Sequence, residues 1–342
     1  MRKLKSPHCN QTRANFNNRP PEVKTLKTAI LFLVFNRPET TAQVFDAIKR
    51  ARPPRLYIAA DGPRKNHIDD LEKTRLVREI VTAVDWPCVV KTLFRKNNIG
   101  CNLAPKEGID WFFEHEESGI VLEDDCLPSQ SFFIFCEQML IRYANNNAVM
   151  AVTGTNITKS INFTEDYWFS NFALMWGWAS WRRAWLKYDS IMSDWPKLKH
   201  QNWLKRLGIA GKPFELTWQS IFDRTVKLGQ KATWWDYQWI YTCWINGGLT
   251  VSPSLNLVKN LGFTKDATHT LGSDPYRDNL VPLEMTFPLV HPKEIKANVE
   301  ADRFIAMHWF HCTWKQIIKS KLLRIPGIKS MNKMRKYLFQ KP

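Results

Sequence analysis

The chain has 342 residues, with 49 Lys and Arg against 32 Asp and Glu, for a formal net charge of +17. Residues 1–27 carry +6 and residues 315–342 carry +9, which leaves only +2 for residues 28–314. A near-neutral body with two basic ends is not a uniformly basic nucleic-acid-binding domain, and no nucleic-acid partner is expected. With 44% hydrophobic and 13% aromatic residues the chain can bury a large core, which excludes global disorder. Seven cysteines are scattered without any CxxC spacing, the pattern of reduced thiols in a cytosolic protein.

Residues 1–27 read as a basic, flexible tail with no apolar segment of the secretory kind. Thr28–Phe35 is a continuous apolar run, the signature of a strand buried on both faces. Pro38 suits the first turn of a helix that runs to Ala51 and stops at Pro53-Pro54. A second strand is expected at Arg55–Ala60, a helix at Ile68–Val84, a third strand at Cys88–Phe94 and a helix over 103–115. Gly119–Leu122 reads as a fourth strand, running into Glu123-Asp124-Asp125. Ser129 is the expected cap of a helix over 130–144, followed by a short strand at Ala148–Val152. Residues 237–258 are uncharged, but Gly247-Gly248 and Pro253 break any spanning helix.

Strands alternating with helices predict an α/β fold with a mostly parallel, doubly wound sheet. A composition change near residue 155 marks a soft boundary, because 12 of the 16 tryptophans lie between Trp168 and Trp244. The later half is expected to add mixed strands and helices to the same sheet. Ligands of such sheets bind beyond the carboxyl ends of the strands. Asn36-Arg37, Asp61-Gly62 and Glu123-Asp124-Asp125 all fall there, at strands one, two and four.

Three consecutive carboxylates repel one another and are best tolerated around a cation, which points to Mg²⁺ or Mn²⁺ shared with substrate phosphates. Read more blandly, they form a solvated acidic turn. Asp61 is either a turn residue or an acceptor for a ligand ring N–H. Arg37 is either a loop cap or a planar fork for phosphate. Most of the tryptophans are expected in the core, and Trp176-Gly177-Trp178 is the best candidate for a ligand wall, since Gly allows close approach to the backbone. No GxGxxG, GxxxxGK[ST], GxSxG or HExxH motif occurs.

Taken together, these residues resemble glycosyltransferases of the GT-A fold. The similarity is to bacterial family-2-like sugar transferases and to the eukaryotic N-acetylglucosaminyltransferase I family. It is carried by Ala29–Glu39 (AILFLVFNRPE), Tyr57–Gly62 (YIAADG), Gly119–Asp125 (GIVLEDD) with Pro128, Met175–Arg182 (MWGWASWR), Trp234–Trp239 (WWDYQW) and Pro253–His269. The resemblance implies a GT-A, Rossmann-like nucleotide-sugar-binding half over 28–155 and an acceptor half of the same domain over 156–303. It makes Glu123-Asp124-Asp125 the DxD-type motif. Asp125 would ligate Mn²⁺ or Mg²⁺, Glu123 would accept from ribose hydroxyls, and Asp124 would approach the ribose or the sugar. Asp61 would read a uracil N–H, Arg37 would stand near the base or a phosphate, and Asn102 would touch the nucleotide. Asp236 would be the catalytic base of an inverting transfer, with Asp223, Glu215 and Asp189 as substitutes. His269 would make a late metal or diphosphate contact. Trp235 would join Trp176, Gly177 and Trp178 on the acceptor side, and Lys106 is a candidate diphosphate contact. UDP is the favoured donor nucleotide, with GDP and others left open.

Residues 304–342 form the basic amphipathic end. Phe310, Trp314, Ile317-Ile318 and Leu322 recur at helical spacing beside Lys315, Lys319 and Lys321, which predicts attachment to an anionic membrane surface; the blander reading is a C-terminal helix packed on the body with a solvated basic tail. The implied enzyme is cytoplasmic, peripheral on the inner face of the membrane. It would take a nucleotide-diphosphate sugar and a glycan or lipid-linked acceptor in bacterial surface polysaccharide or lipopolysaccharide synthesis. Two alternatives compete with it. One is a sugar nucleotidyltransferase, which would need a Gly-rich basic loop where Asn36-Arg37-Pro38-Glu39 stands. The other is a non-enzymatic basic membrane- or nucleic-acid-binding protein, which leaves the carboxylates unexplained.

Overall fold

The computed structural model describes residues 26–158, 160–262, 276–277 and 280–322. The first half runs β1 (Ala29–Val34), α1 (Pro38–Ala51), β2 (Arg55–Ala60), α2 (Ile68–Thr82), β3 (Val89–Phe94), α3 (Gly100–His115), β4 (Ser118–Glu123), β5 (Cys126–Pro128), α4 (Gln130–Arg142) and β6 (Val149–Thr153). The second half adds β7 (Tyr167–Ser170), β8 (Trp178–Trp181), α5 (Arg182–Trp185), α6 (Trp195–His200), α7 (Trp203–Arg206) and α8 (Gly211–Leu228). It closes with α9 (Asp236–Ile245), β9 (Leu249–Pro253), β10 (Val258–Asn260), α10 (Val299–His308) and α11 (Trp314–Leu322).

Eight strands form one sheet in the order β3-β2-β1-β4-β8-β6-β9-β7. The first four in that order are parallel, β8 opposes both β4 and β6, β9 runs parallel to β6, and β7 opposes β9. The fold is therefore α/β, with a large, mostly parallel but mixed sheet flanked by helices. The two halves of the chain interdigitate. β8, from the tryptophan-rich half, lies between β4 and β6 and separates two strands of the first half. Its sequence, Trp-Ala-Ser-Trp, is buried throughout and carries no period-2 signal that a sequence pattern can show.

Burial on both faces explains the apolar strand runs. Along β1, Ala29, Leu31 and Leu33 enter one core, while Ile30, Phe32 and Val34 enter the other. β2 repeats the alternation, with Tyr57 and Ala59 against Leu56, Ile58 and Ala60. Nine of the twelve clustered tryptophans are buried, and only Trp176, Trp203 and Trp234 are partly exposed. Several indole N–H groups are placed by specific acceptors, such as Trp185 Nε1 on Asp110 at 2.8 Å and Trp244 Nε1 on the Asn171 carbonyl at 2.6 Å.

Helix α4 is capped differently from the expectation. Ser129 occupies the cap position, but its hydroxyl makes no capping bond. The Glu284 carboxylate instead accepts from the backbone N–H groups of Gln130 at 2.9 Å and Ser131 at 2.7 Å. A carboxylate 154 residues away thus meets the positive end of the helix dipole. The six described cysteines are all free thiols. Among the described residues no helix is long and apolar enough to cross a membrane.

Gly177 binds the fold together just before β8. Its φ is +60°, and a Cβ there would lie 2.7 Å from Val258 Cγ2. The absence of a side chain thus admits β10, and through it the loop that follows β4. Gly177→Ala combines a left-handed backbone with overpacking and is expected to cost about 2–4 kcal/mol. Denaturant unfolding measures this directly, and an unchanged midpoint would show that the contact is not rigid.

Candidate active site at the carboxyl ends of the central strands

From the β1/β4 pair the chain continues to opposite sides of the sheet, β2 and β3 lying beyond β1 and β8 beyond β4, so the crevice of this α/β sheet opens between their carboxyl ends. Leu33 of β1 pairs with Glu123 of β4, which sets the residues after each strand side by side. Arg37, one residue before α1, reaches across with Nη1. It bonds Asp125 Oδ2 at 2.8 Å and Asp124 Oδ1 at 3.3 Å. The Phe35 N–H donates to the other Asp124 oxygen at 3.0 Å. Asp125 is held from behind by β10: Leu261 N donates to its carbonyl at 2.7 Å, and Asn260 Nδ2 approaches its Oδ1 at 3.5 Å. Glu123 has no hydrogen-bond partner among the described residues.

The electrostatics follow from this crowding. Burial pushes the Glu123 carboxyl well up, and repulsion from Asp125, Asp124 and Asp236 adds to it, with Arg37 alone opposing. Asp124 is pushed up by burial, against the pull of Arg37. For Arg37, burial disfavours the charge but the attraction of Asp124 and Asp125 outweighs it, so the guanidinium is held charged. One cation thus serves a cluster of carboxylates.

Asp236 arrives from the other half of the chain. It is the first residue of α9, half-buried, and Trp235 is the helix N-cap. Burial pushes its carboxyl up to about 6, against backbone N–H bonds from Tyr237 and from its own amide. Its charge adds to what raises the Glu123 carboxyl. The preceding segment is pinned to the start of α3, where Cys101 Sγ donates to the Thr233 carbonyl at 3.2 Å. The substitutes expected for Asp236 are otherwise engaged. Asp223 pairs with Lys199 and accepts from Trp195 Nε1, Glu215 pairs with Lys212, and Asp189 accepts from the backbone of residues 191–193.

Several sequence expectations change. Asp61 takes bonds from Gly62 N at 2.8 Å, Asn98 Nδ2 at 2.9 Å, Gly100 N at 3.1 Å and Ile99 N at 3.1 Å. Four donors fill the acceptor sites of a carboxylate. Asp61 therefore shapes the loop ahead of α3 rather than offering a lone pair to a ligand ring. Gly62 makes room for that loop, since a Cβ there would lie 2.4 Å from the Asn97 backbone. Arg37 is a counter-ion of the acid cluster rather than a free fork for phosphate. Lys106 pairs with Asp110 on its own helix. Trp178 and Trp235 are buried in the core, their rings 5.7 Å apart, and line no cleft. The space beside Gly177 is filled by Val258, not open to a ligand. Of that group only Trp176 is partly exposed, with its ring edge-on to Trp309 at 4.5 Å. Asn102 lies on the first turn of α3 with no hydrogen-bond partner among the described residues, and His269 lies outside them.

Oxygen donors such as these suit a hard divalent ion in type. Among the described residues, however, no group of three His, Cys, Asp or Glu side chains is placed to hold a metal, and the Arg37 guanidinium occupies the position beside Asp125 Oδ2. A cation entering there takes over part of the charge balance that Arg37 now provides. Neither a protein-family model nor a curated protein matches the sequence.

The raised carboxyls have a measurable consequence. Asp236 and Asp302, the latter buried against Ser170 and Asn171, are both pushed up to about 6 by burial. The stability they contribute is complete below about pH 4, the unfolded value, and is lost as the pH rises through about 6. Without ligands, the melting temperature is expected to fall between pH 4.5 and 7.5. Asp236→Asn should recover about 1–2 kcal/mol at pH 7.5. A melting temperature that rises over this range, or a variant no more stable at pH 7.5, contradicts the assignment.

Proposed function

We propose that the protein is a GT-A-type glycosyltransferase that moves a sugar from a nucleoside-diphosphate donor, UDP favoured, with inversion at the anomeric carbon. What supports this reading is the carboxylate cluster after β4 together with Asp236, whose charge acts on Glu123. Glu123, Asp124 and Asp125 come from the end of β4. Asp236 comes from α9, and its charge reaches Glu123.

Each group has a task in that reading. Glu123, whose carboxylate has no hydrogen-bond partner among the described residues, would accept from the donor's ribose hydroxyls. Asp124, tied to Phe35 N and Arg37, fixes the loop that carries Asp125. Asp125 would hold a divalent cation, Mn²⁺ or Mg²⁺, which supplies positive charge beside the leaving diphosphate. Asp236 takes the proton from the acceptor hydroxyl as the new bond forms. A carboxyl near 6 is mostly ionised at neutral pH yet basic enough for this work, typically worth ~10²–10⁴-fold. A base on the face opposite the leaving group gives inversion. The acceptor class in this reading is a glycan or a lipid-linked glycan of bacterial surface polysaccharide or lipopolysaccharide synthesis.

Two substitutions separate the roles. Asp125→Ala is expected to abolish the joint thermal stabilisation by UDP and Mn²⁺. Asp236→Asn is expected to keep that stabilisation and lose at least ~10²-fold in turnover. Full turnover by Asp236→Asn removes it as the base, and unchanged metal-dependent binding by Asp125→Ala removes the metal assignment.

The reading also places the enzyme in the cytoplasm at the inner membrane face. Helix α11 buries Ile317 beside α8 and leaves Trp314, Ile318 and Leu322 about half exposed on one stripe. Lys315, Lys319 and Lys321 flank that stripe, and the sequence from 315 to 342 contains no acid. An apolar stripe edged by lysines complements an anionic lipid surface. The protein is expected to float with phosphatidylglycerol vesicles and not with phosphatidylcholine vesicles, and Ile318→Ser with Leu322→Ser should reduce flotation several-fold. Equal flotation of the variant, or equal binding to both lipids, rejects the membrane face.

A further inference from the structure

The positive charge of the body is gathered on α6, α7 and the chain beside them. Residues 187–212 hold six basic residues, Lys187, Lys197, Lys199, Lys205, Arg206 and Lys212, against Asp189 and Asp194, for +4. Residues 28–314 as a whole carry +2, so the rest of that span carries −2. Lys199, Lys205 and Lys212 line one notch between α6, α7 and the start of α8, together with Trp195, Trp203 and Gln219. Two of these lysines have partners, Lys199 with Asp223 at 2.7 Å and Lys212 with Glu215 at 2.8 Å. Lys187, Lys197, Lys205 and Arg206 are exposed and form no ion pair among the described residues. Four cations thus remain for an anion from outside.

The same segment holds apolar side chains in water. Leu186 is 77% exposed and Ile191 is 74% exposed. The loop that carries them is nevertheless tied down. Asp189 N donates to Thr242 Oγ1 of α9 at 3.0 Å, and the Asp189 carboxylate accepts from the backbone of residues 191–193. Trp195 N closes the loop onto the Met192 carbonyl at 3.0 Å. Trp203 of α7 stands edge-on to Tyr241 at 6.1 Å and stays partly exposed. The loop and α7 therefore meet α9 at adjacent residues. Fixed apolar side chains beside unpaired cations complement a charged bilayer, where headgroups take the cations and the acyl boundary takes Leu186 and Ile191. A nucleic acid would use the cations alone.

We propose that the loop before α6, with α6 and α7, forms a second contact with an anionic lipid surface, separate from α11. The inference extends the membrane placement proposed for α11 and is independent of the transferase chemistry. Helices α7 and α11 both pack on α8, so two weak contacts are carried by one rigid support and reinforce each other.

The test is flotation of the full-length protein with vesicles of phosphatidylglycerol and phosphatidylcholine in varied ratio. Lys205→Gln with Arg206→Gln is expected to weaken partitioning onto phosphatidylglycerol at least about 10-fold. Lys65→Gln with Lys73→Gln, which removes the same charge at and before α2, should change it far less. Leu186→Ser with Ile191→Ser should lose several-fold, and all four side chains are exposed, so folding is preserved. In the Ile318→Ser, Leu322→Ser background, the Lys205 and Arg206 changes should lower flotation further. Unaltered flotation of the Lys205, Arg206 variant or of the Leu186, Ile191 variant overturns the proposal, as does an equal loss in the α2 control. Salt-sensitive RNA binding through Lys205 and Arg206 without flotation also overturns it. Failure of the transferase reading shows separately, as no thermal stabilisation by UDP with Mn²⁺.

Discussion

The bond between Arg37 and the two carboxylates Asp124 and Asp125 is the constraint around which the crevice is built. Both partners leave the ends of adjacent parallel strands, and neither is fully solvated. A lone buried guanidinium would be costly, and so would two buried carboxylates, so each makes the other tolerable. The pair joins the loop after β1 to the loop after β4. One guanidinium thus offsets two carboxylates, while the charge of Asp236 acts on the neighbouring Glu123. Burial and mutual repulsion raise the Glu123 and Asp124 carboxyls, a strain that a bound cation would relieve.

The tryptophan-rich half serves that arrangement mainly by packing. Trp178, Trp185, Trp235 and Trp239 pack against one another around the start of α9, the helix that Asp236 opens. Gly177 lets Val258 sit beside β8, which keeps β10 against β5 and Asp125 in register. Aromatic mass here acts at a distance from the chemistry, as a rigid backing for one carboxylate. Among the twelve clustered tryptophans only Trp176, Trp203 and Trp234 keep part of their surface exposed.

The first half of the sheet was legible because strands buried on both faces leave unbroken apolar runs, as in Ala29–Val34 and Arg55–Ala60. The acid cluster was legible because three adjacent carboxylates after such a run have few bland explanations. What stayed hidden depended on distant partners. Glu284 caps α4 from 154 residues away, Asp61 is consumed by the loop at 98–100, and Arg277 stacks on Trp309 across 32 residues of chain. No spacing rule exposes such pairs. The same limit explains Trp178 and Gly177, whose Trp-Gly-Trp setting suggests a ligand wall equally well as a tight core. Asp236 stands out from Asp223, Glu215 and Asp189 only once the ion pairs and backbone bonds of the others are seen.

In the proposed transferase, Asp125 and Asp236 belong to one donor-and-acceptor crevice. Crystals grown with UDP and Mn²⁺, and recorded at a wavelength where manganese scatters anomalously, test it most directly. The account predicts a manganese peak in contact with Asp125, with the diphosphate between the ends of β1 and β4 and Asp236 facing it across the crevice. A nucleotide bound elsewhere on the chain, or manganese that does not touch the acids at the end of β4, would contradict it.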